Sequence, residues 1–197
     1  MTEEWISVPC IGRKKLNKGE QIVLGGFFSK GPYVPSDIHL LQYQVPLGIQ
    51  RAAKAFNKDV KIDLNLEDVL KPSGGTGTVA GFLTKKDISN KWGTGIAVHV
   101  GYGDAIIILD RCTIVVEIKT SGQTIEGVND IYEGFGQIIF NRERFKEDYP
   151  LIAEEKNVKA LLLTEASKID IELIKKPFIE NKVGFFDPTR GGFLIDF

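Results

Sequence analysis

The sequence predicts an α/β protein with a mixed central sheet, built in the order strand, strand, strand, helix, strand and flanked by helices. Three observations predict it. Residues 96–119 hold three β-branched runs separated by Gly101-Tyr102-Gly103 and by Asp110-Arg111-Cys112-Thr113, the pattern of an antiparallel meander. From about Thr124 to Asp148, the apolar residues Val128, Ile131, Phe135, Ile138/Ile139 and Phe145 keep helical spacing. Lys159 to Thr164 is then a compact apolar strand that needs cover on both faces, as expected for a buried strand reached by a helical crossover.

The remaining elements follow from punctuation and periodicity. Residues 1–36 are rich in glycine and basic side chains, and predict one or two short strands around Ile22 to Phe28. Ser36-Asp37 reads as an N-cap for a helix running to about Phe56 through Ile38, Leu41, Val45, Ile49, Ala52/Ala53 and Phe56, kinked or split at Pro46. Val60 to Leu64 alternates as a short strand, and Leu66 to Leu70 forms a single helical turn before the glycine-rich Pro72–Gly77. That glycine run lacks the Gly-Lys-Ser/Thr of a nucleotide loop, so it reads as a turn and no nucleotide cofactor is expected. Ile169 to Ile179 predicts a short helix. Val183 to Phe186 and Phe193 to Phe197 predict a closing hairpin around Pro188 to Gly192. The whole chain, 1–197, reads as one domain: an N-terminal segment with the first helix (1–58), a central core (96–165), and a C-terminal helix and hairpin (166–197).

Composition narrows the function classes. At 197 residues and 21.9 kDa, with 43% hydrophobic and 26% charged residues, the chain is long enough for a real core and is neither membrane-like nor disordered in composition. A formal charge of −1 announces no polyanionic partner, so a basic surface must come from clustering. Arg13-Lys14-Lys15 with Lys18, and Lys85-Lys86 with Lys91 and Trp92, are such clusters: ordinary solvated surface taken alone, but beside a nuclease core able to grip phosphates and stack on a base. Cys10 and Cys112 stand alone, which leaves no disulfide framework and no zinc cassette. The acidic N-terminus carries no export signal, and no apolar run spans a bilayer, so an intracellular protein without a membrane partner is expected.

The chemistry concentrates in the third predicted strand, where Glu117 and Lys119 share one face and Ile114, Val116 and Ile118 the other. With an even loop closed between Asp110 and Thr113, Asp104 falls opposite Lys119 and diagonal to Glu117, about 7–8 Å away on the same face. An odd loop or a bulge would break this parity. Two neighbouring carboxylates repel unless a cation sits between them, and hard oxygen donors suit Mg²⁺ or Mn²⁺. A lysine beside them can orient a water or balance developing charge, which is equipment for phosphodiester hydrolysis. Read structurally, the same residues are a solvated ion-pair network on an interaction protein. On the long helix Glu133, Gln137, Asn141 and Arg144 form one polar stripe, either the solvent face of the helix or a face beside the site with Arg144 or Asn141 able to reach substrate phosphates. His99, in the first run, reads as structural, and Cys112 as a turn residue.

Gly101-Tyr102-Gly103-Asp104 through Asp110, then Val115-Val116-Glu117-Ile118-Lys119-Thr120 and a helix carrying Gly136-Gln137-Ile138, resemble the PD-(D/E)xK nuclease superfamily, which includes restriction-endonuclease-like enzymes and archaeal Holliday-junction resolvases. The resemblance covers residues 96–165, about a third of the chain. It implies a restriction-endonuclease-like core and a Mg²⁺-dependent DNA endonuclease, with Mn²⁺ able to substitute. It also implies that Asp104 and Glu117 are metal ligands, Lys119 the catalytic lysine and Gln137 the helix contribution. Duplex or branched DNA is the implied partner, and a homodimer would pair two sites to cut both strands. Two departures stand out: Gly103 replaces the proline before Asp104, and the helix predicted at 38–56 has no interior carboxylate where several subfamilies place a metal ligand, leaving His39 or Gln50 as stand-ins or a second metal absent. A module of the same fold that binds nucleic acid without cutting is the alternative.

Overall fold

The computed structural model describes residues 8–12, 17–72, 79–120, 128–165 and 169–196. The described residues form an α/β structure with one seven-stranded mixed sheet, whose strands lie side by side in sequence order: β1 (Cys10–Ile11), β2 (Ile38–Leu47), β3 (Gly101–Leu109), β4 (Cys112–Lys119), β5 (Asn157–Thr164), β6 (Val183–Asp187) and β7 (Gly192–Ile195). β2, β3 and β4 run antiparallel to one another, β5 and β6 continue parallel to β4, β7 turns back on β6, and β1 lies parallel to β2.

Helices cover both faces. α1 (Lys18–Lys30) buries Val23, Leu24, Phe27 and Phe28 against one face of the sheet, where Tyr43, Ile107, Ile114, Val116, Leu161 and Phe186 wait. α6 (Val128–Asp148), the crossover between β4 and β5, lays Ile131, Ile138 and Phe145 on the other face, against Val115, Ala160 and Leu162. Between β2 and β3 the chain inserts α2 (Ile49–Ala55), α3 (Leu66–Leu70), α4 (Lys85–Trp92) and α5 (Thr94–His99). Gln42 on β2 clips this insertion to the sheet, its buried amide accepting from Phe82 N–H at 2.7 Å and donating to Phe82 C=O at 3.2 Å. α7 (Pro150–Glu155) follows α6 directly, and α8 (Ile171–Glu180) leads into β6. No described helix is long and apolar enough to cross a membrane.

The long helix, the buried β5, the turn at Leu66–Leu70, the C-terminal helix and the terminal hairpin stand where the sequence places them, although predicted residues 124–127 of the long helix lie outside the described ones. Other expectations are corrected. Residues 22–28 are helical, because Asn17 and Glu20 form a capping box: Asn17 Oδ1 accepts from Glu20 N–H, and the Glu20 carboxylate from Asn17 N–H, both at 2.9 Å. Gly26, which suggested a break, lets α1 lie on Pro188, since a β-carbon there would fall 2.6 Å from the proline ring. Residues 38–47 are strand rather than helix. Both faces of β2 are buried, Leu40, Val45 and Leu47 to one side and Ile38, Leu41 and Tyr43 to the other, so its apolar residues imitate helical spacing. Ser36-Asp37 belongs to a single 3-10 turn, Pro35–Asp37, before that strand.

The run at 96–100, expected as the first strand of the meander, lies mostly in α5, and β2 takes that place in the sheet. His99 is accordingly helical, its ring against Phe56. Val60–Leu64 has no regular structure. Cys112 opens β4 as a buried residue, not a turn. Of the glycine-rich Pro72–Gly77, residues 73–77 lie outside the described residues, as does the cluster Arg13–Lys15.

Candidate active site

One end of the sheet gathers the C-terminal ends of β2 and β4, the start of β3 and the start of α1, with α6 crossing above. β3 and β4 pair through Ala105↔Val116, Ile106↔Val115, Ile107↔Ile114 and Ile108↔Thr113, leaving Asp110 and Arg111 between the strands. The register is therefore two residues away from the expected one, and its next step sets Asp104 across from Glu117 rather than Lys119. Two residues are one full pleat repeat, so Asp104, Glu117 and Lys119 still share a face, the one covered by α6.

Asp104 and Glu117 are both largely withdrawn from water. Asp104 Oδ2 accepts from Ile118 N–H at 2.8 Å, and Oδ1 faces the Gln44 amide at 3.5 Å. Gln44 has a left-handed backbone, φ 52°, an uncommon conformation for a non-glycine residue and one found at functional irregularities in strands. Burial raises the Asp104 carboxyl, the negative charge of Glu20 adds to this, and the Ile118 N–H, Lys119 and Gln44 oppose it. Glu117 is only 8% exposed. Burial first and the Asp104 charge second push its carboxyl up to about 7, against the pull of Lys119 and of hydrogen bonds from Lys119 and Asn141.

Lys119 is held over these carboxylates from three sides. Its ammonium donates to Gln137 Oε1 and lies 3.5 Å from Glu117 Oε1 and 3.6 Å from Glu133 Oε1. Gln137 in turn donates to Glu133 at 3.1 Å, which fixes the amide with its oxygen toward the lysine. Gly134 gives Lys119 its room: a β-carbon there would fall 3.2 Å from Lys119 Cγ and Cε and 2.9 Å from Leu162. Asn141 donates to Glu117 Oε2 at 3.2 Å and lies 3.4 Å from Tyr102 C=O. Of the polar stripe of α6, Gln137 and Asn141 point into the site, while Glu133 stays exposed.

The four residues singled out from the sequence, Asp104, Glu117, Lys119 and Gln137, come together. His39 and Gln50 do not join them: His39 pairs with Asp110 at 2.5 Å at the turn end of the hairpin, and Gln50 donates to Glu147 C=O. Gly19 sets the N-terminus of α1 against Thr120, and from there the charge of Glu20, whose carboxylate caps Asn17 N–H, raises the Asp104 carboxyl. The sequence signal of Glu20 was the capping spacing Asn17-Lys-Gly-Glu20. Thr164, the register partner of Lys119, buries a hydroxyl without a partner among the described residues; nothing in its sequence context marks it.

Among the described residues no group of three or more His, Cys, Asp and Glu side chains is gathered tightly enough to hold a metal. The centre is a two-carboxylate one, with Glu20 acting at longer range. No family model, curated protein or solved structure matches this chain.

Proposed function

We propose that this protein is a divalent-metal-dependent DNA endonuclease with a restriction-endonuclease-like core. The observation that carries the reading is the convergence of Asp104, Glu117 and Lys119 with Gln137 at one end of an otherwise apolar sheet. A lone ion-pair network would gain nothing from two mutually repelling buried carboxylates. The order α1, antiparallel β2-β3-β4, α6 and parallel β5 supports the core assignment.

The donor set fits Mg²⁺ or Mn²⁺, which take one or two carboxylates and fill their remaining positions with water and substrate phosphate. Asp104 and Glu117 would hold the ion, which when bound supplies Lewis-acid polarisation of a phosphoryl oxygen and a more acidic water. The protein's own groups do the rest. Lys119, braced by Gln137 and Glu133, presents its ammonium beside the carboxylates, where it orients the attacking water and balances charge developing on the phosphate. Asn141 fixes Glu117 by occupying one carboxylate oxygen and leaving the other directed at Lys119. Ile118 N–H does the same for Asp104. A homodimer would bring two such sites to the two strands of a duplex.

The test is incubation of supercoiled plasmid, linear duplex, single strand and a synthetic four-way junction with Mg²⁺, Mn²⁺ or EDTA, comparing wild type with Glu117→Ala. Cutting that needs metal and is lost in the variant is the expected result, and the preferred substrate then defines the role. Tight binding without cutting would make the protein a non-cutting nucleic-acid-binding module. Neither binding nor cutting would leave the cluster an ion pair.

A further inference from the structure

One turn along α6 from Asn141, which bonds Glu117, lies Arg144. Its side chain rests in a slot between Gly48, just past the end of β2, and Gly101, at the start of β3. These positions flank a ladder pair, since Leu47 is in register with Gly101. A β-carbon at Gly48 would stand 3.3 Å from Arg144 Cδ, and one at Gly101 would stand 3.2 Å from Nη1. Two positions without side chains thus make the space that the guanidinium occupies.

The charge in that slot is not consumed by the fold. Arg144 Nε is buried without a hydrogen-bond partner among the described residues, so the fold does not spend this donor on a bond of its own. The acid that feels its charge, Glu147, is already gripped by Arg51 through Nε and Nη2 at 2.6 and 2.7 Å. Arg144 itself is only partly covered, so solvent and solute reach it. Next to it, Tyr102 stands 39% exposed with the Lys85 ammonium 4.5 Å from its ring centre. The insertion from which Lys85 comes, residues 49–100, holds eight Lys and Arg against five Asp and Glu, although the whole chain carries −1. A planar, partly unpaired guanidinium backed by a second cation suits a phosphodiester, whose two free oxygens match the guanidinium fork.

We infer that Arg144 is a phosphate-binding residue that takes a backbone phosphodiester of a DNA strand next to the one placed at Asp104 and Glu117, with Lys85 on Tyr102 extending the track across the insertion. The inference rests on the nuclease reading for the identity of the strand, and its own content is the Arg144 contact.

The experiment is binding of a short fluorescein-labelled DNA duplex in EDTA, followed by anisotropy over a range of salt, with cleavage in Mg²⁺ measured on the same preparations. Arg144→Gln weakens binding about tenfold and lowers the slope of log Kd against log salt by about one. Arg144→Lys, which keeps the charge and loses the fork, falls between it and wild type. Gly101→Ala, which crowds Nη1 without touching any charge, also weakens binding. Lys182→Gln, at the opposite end of the sheet, leaves binding unchanged. Because Nε has no partner in the fold, the melting temperature of Arg144→Gln is not lowered, whereas a structural arginine would reveal itself by a fall. If wild type cuts DNA and Arg144→Gln binds and cuts equally well, the Arg144 contact is overturned and the nuclease reading stands. If binding depends on Arg144 but wild type never cuts with metal, the nuclease reading falls and the contact stands. If wild type binds no DNA, both fall.

Discussion

Glu117→Gln is expected to stabilise the metal-free protein at pH 8 by about 3 kcal/mol while removing the proposed cleavage activity. The sign follows from the direction of the shift. The Glu117 carboxyl sits at about 7 in the folded protein against an ordinary 4.5, so the folded state holds this proton more tightly than the unfolded one. Wild-type stability from this group is complete below about pH 4.5, is lost as the pH rises toward 7, and levels off above that. Glutamine does not titrate and keeps the Asn141 contact through its own carbonyl. The stability difference between variant and wild type should therefore open across this window and then stay constant. Urea unfolding of both proteins at pH 5 and pH 8 in EDTA measures it. An equal difference at both pH values would show that burial and Asp104 do not raise this carboxyl. A group kept at such a cost points to a function that requires it charged.

Asp148→Ala is expected to lose at least about 3 kcal/mol, enough to leave much of the population unfolded near body temperature. Asp148 is completely buried, and its two oxygens accept the N–H groups of Gly48, Ile49 and Gln50 at 2.6, 3.0 and 3.0 Å. Those donors open α2, and no side chain of its own N-cap residue, Gly48, can satisfy them. The carboxylate thus ties the end of α6 to the point where the insertion leaves the sheet, with Gly48 at φ 85° making the bend. Asp148→Asn should fall between the two, because its single carbonyl oxygen cannot replace both carboxylate oxygens. Thermal unfolding of the three proteins decides; an alanine variant within 1 kcal/mol of wild type would mean that water replaces the cap (about the size of one ordinary hydrogen bond).

What was legible in the sequence was whatever local periodicity controls. α6 shows a 3.6-residue repeat because one face meets the sheet, and β5 shows an unbroken apolar run because both faces are covered. The shared face of Asp104, Glu117 and Lys119 was legible for a sturdier reason: parity survives any register change of two residues. Their order across the ladder was not legible, because Asp110-Arg111 has none of the turn chemistry that fixes a hairpin. β2 read as a helix because a strand buried on both faces loses its alternation, and that error moved the first helix to the wrong place and hid Glu20. Residues 96–100 show the reverse, a β-branched run turned into α5 by its packing against α2 and α4, tertiary context overriding propensity. Gly134, Gly48 and Gly101, which make room for Lys119 and Arg144, carry no signal in the sequence because a glycine's neighbour across the fold is invisible there.

The proposed function turns on Asp104 and Glu117 forming a site for a divalent cation. The most direct measurement is the melting temperature of wild type, Asp104→Asn and Glu117→Gln at pH 8 as Mn²⁺ is raised, since an ion that binds only the folded state stabilises it in proportion to its occupancy. Wild type should rise steadily with Mn²⁺ while both variants stay flat. Equal shifts in all three proteins, or none in any, would contradict it.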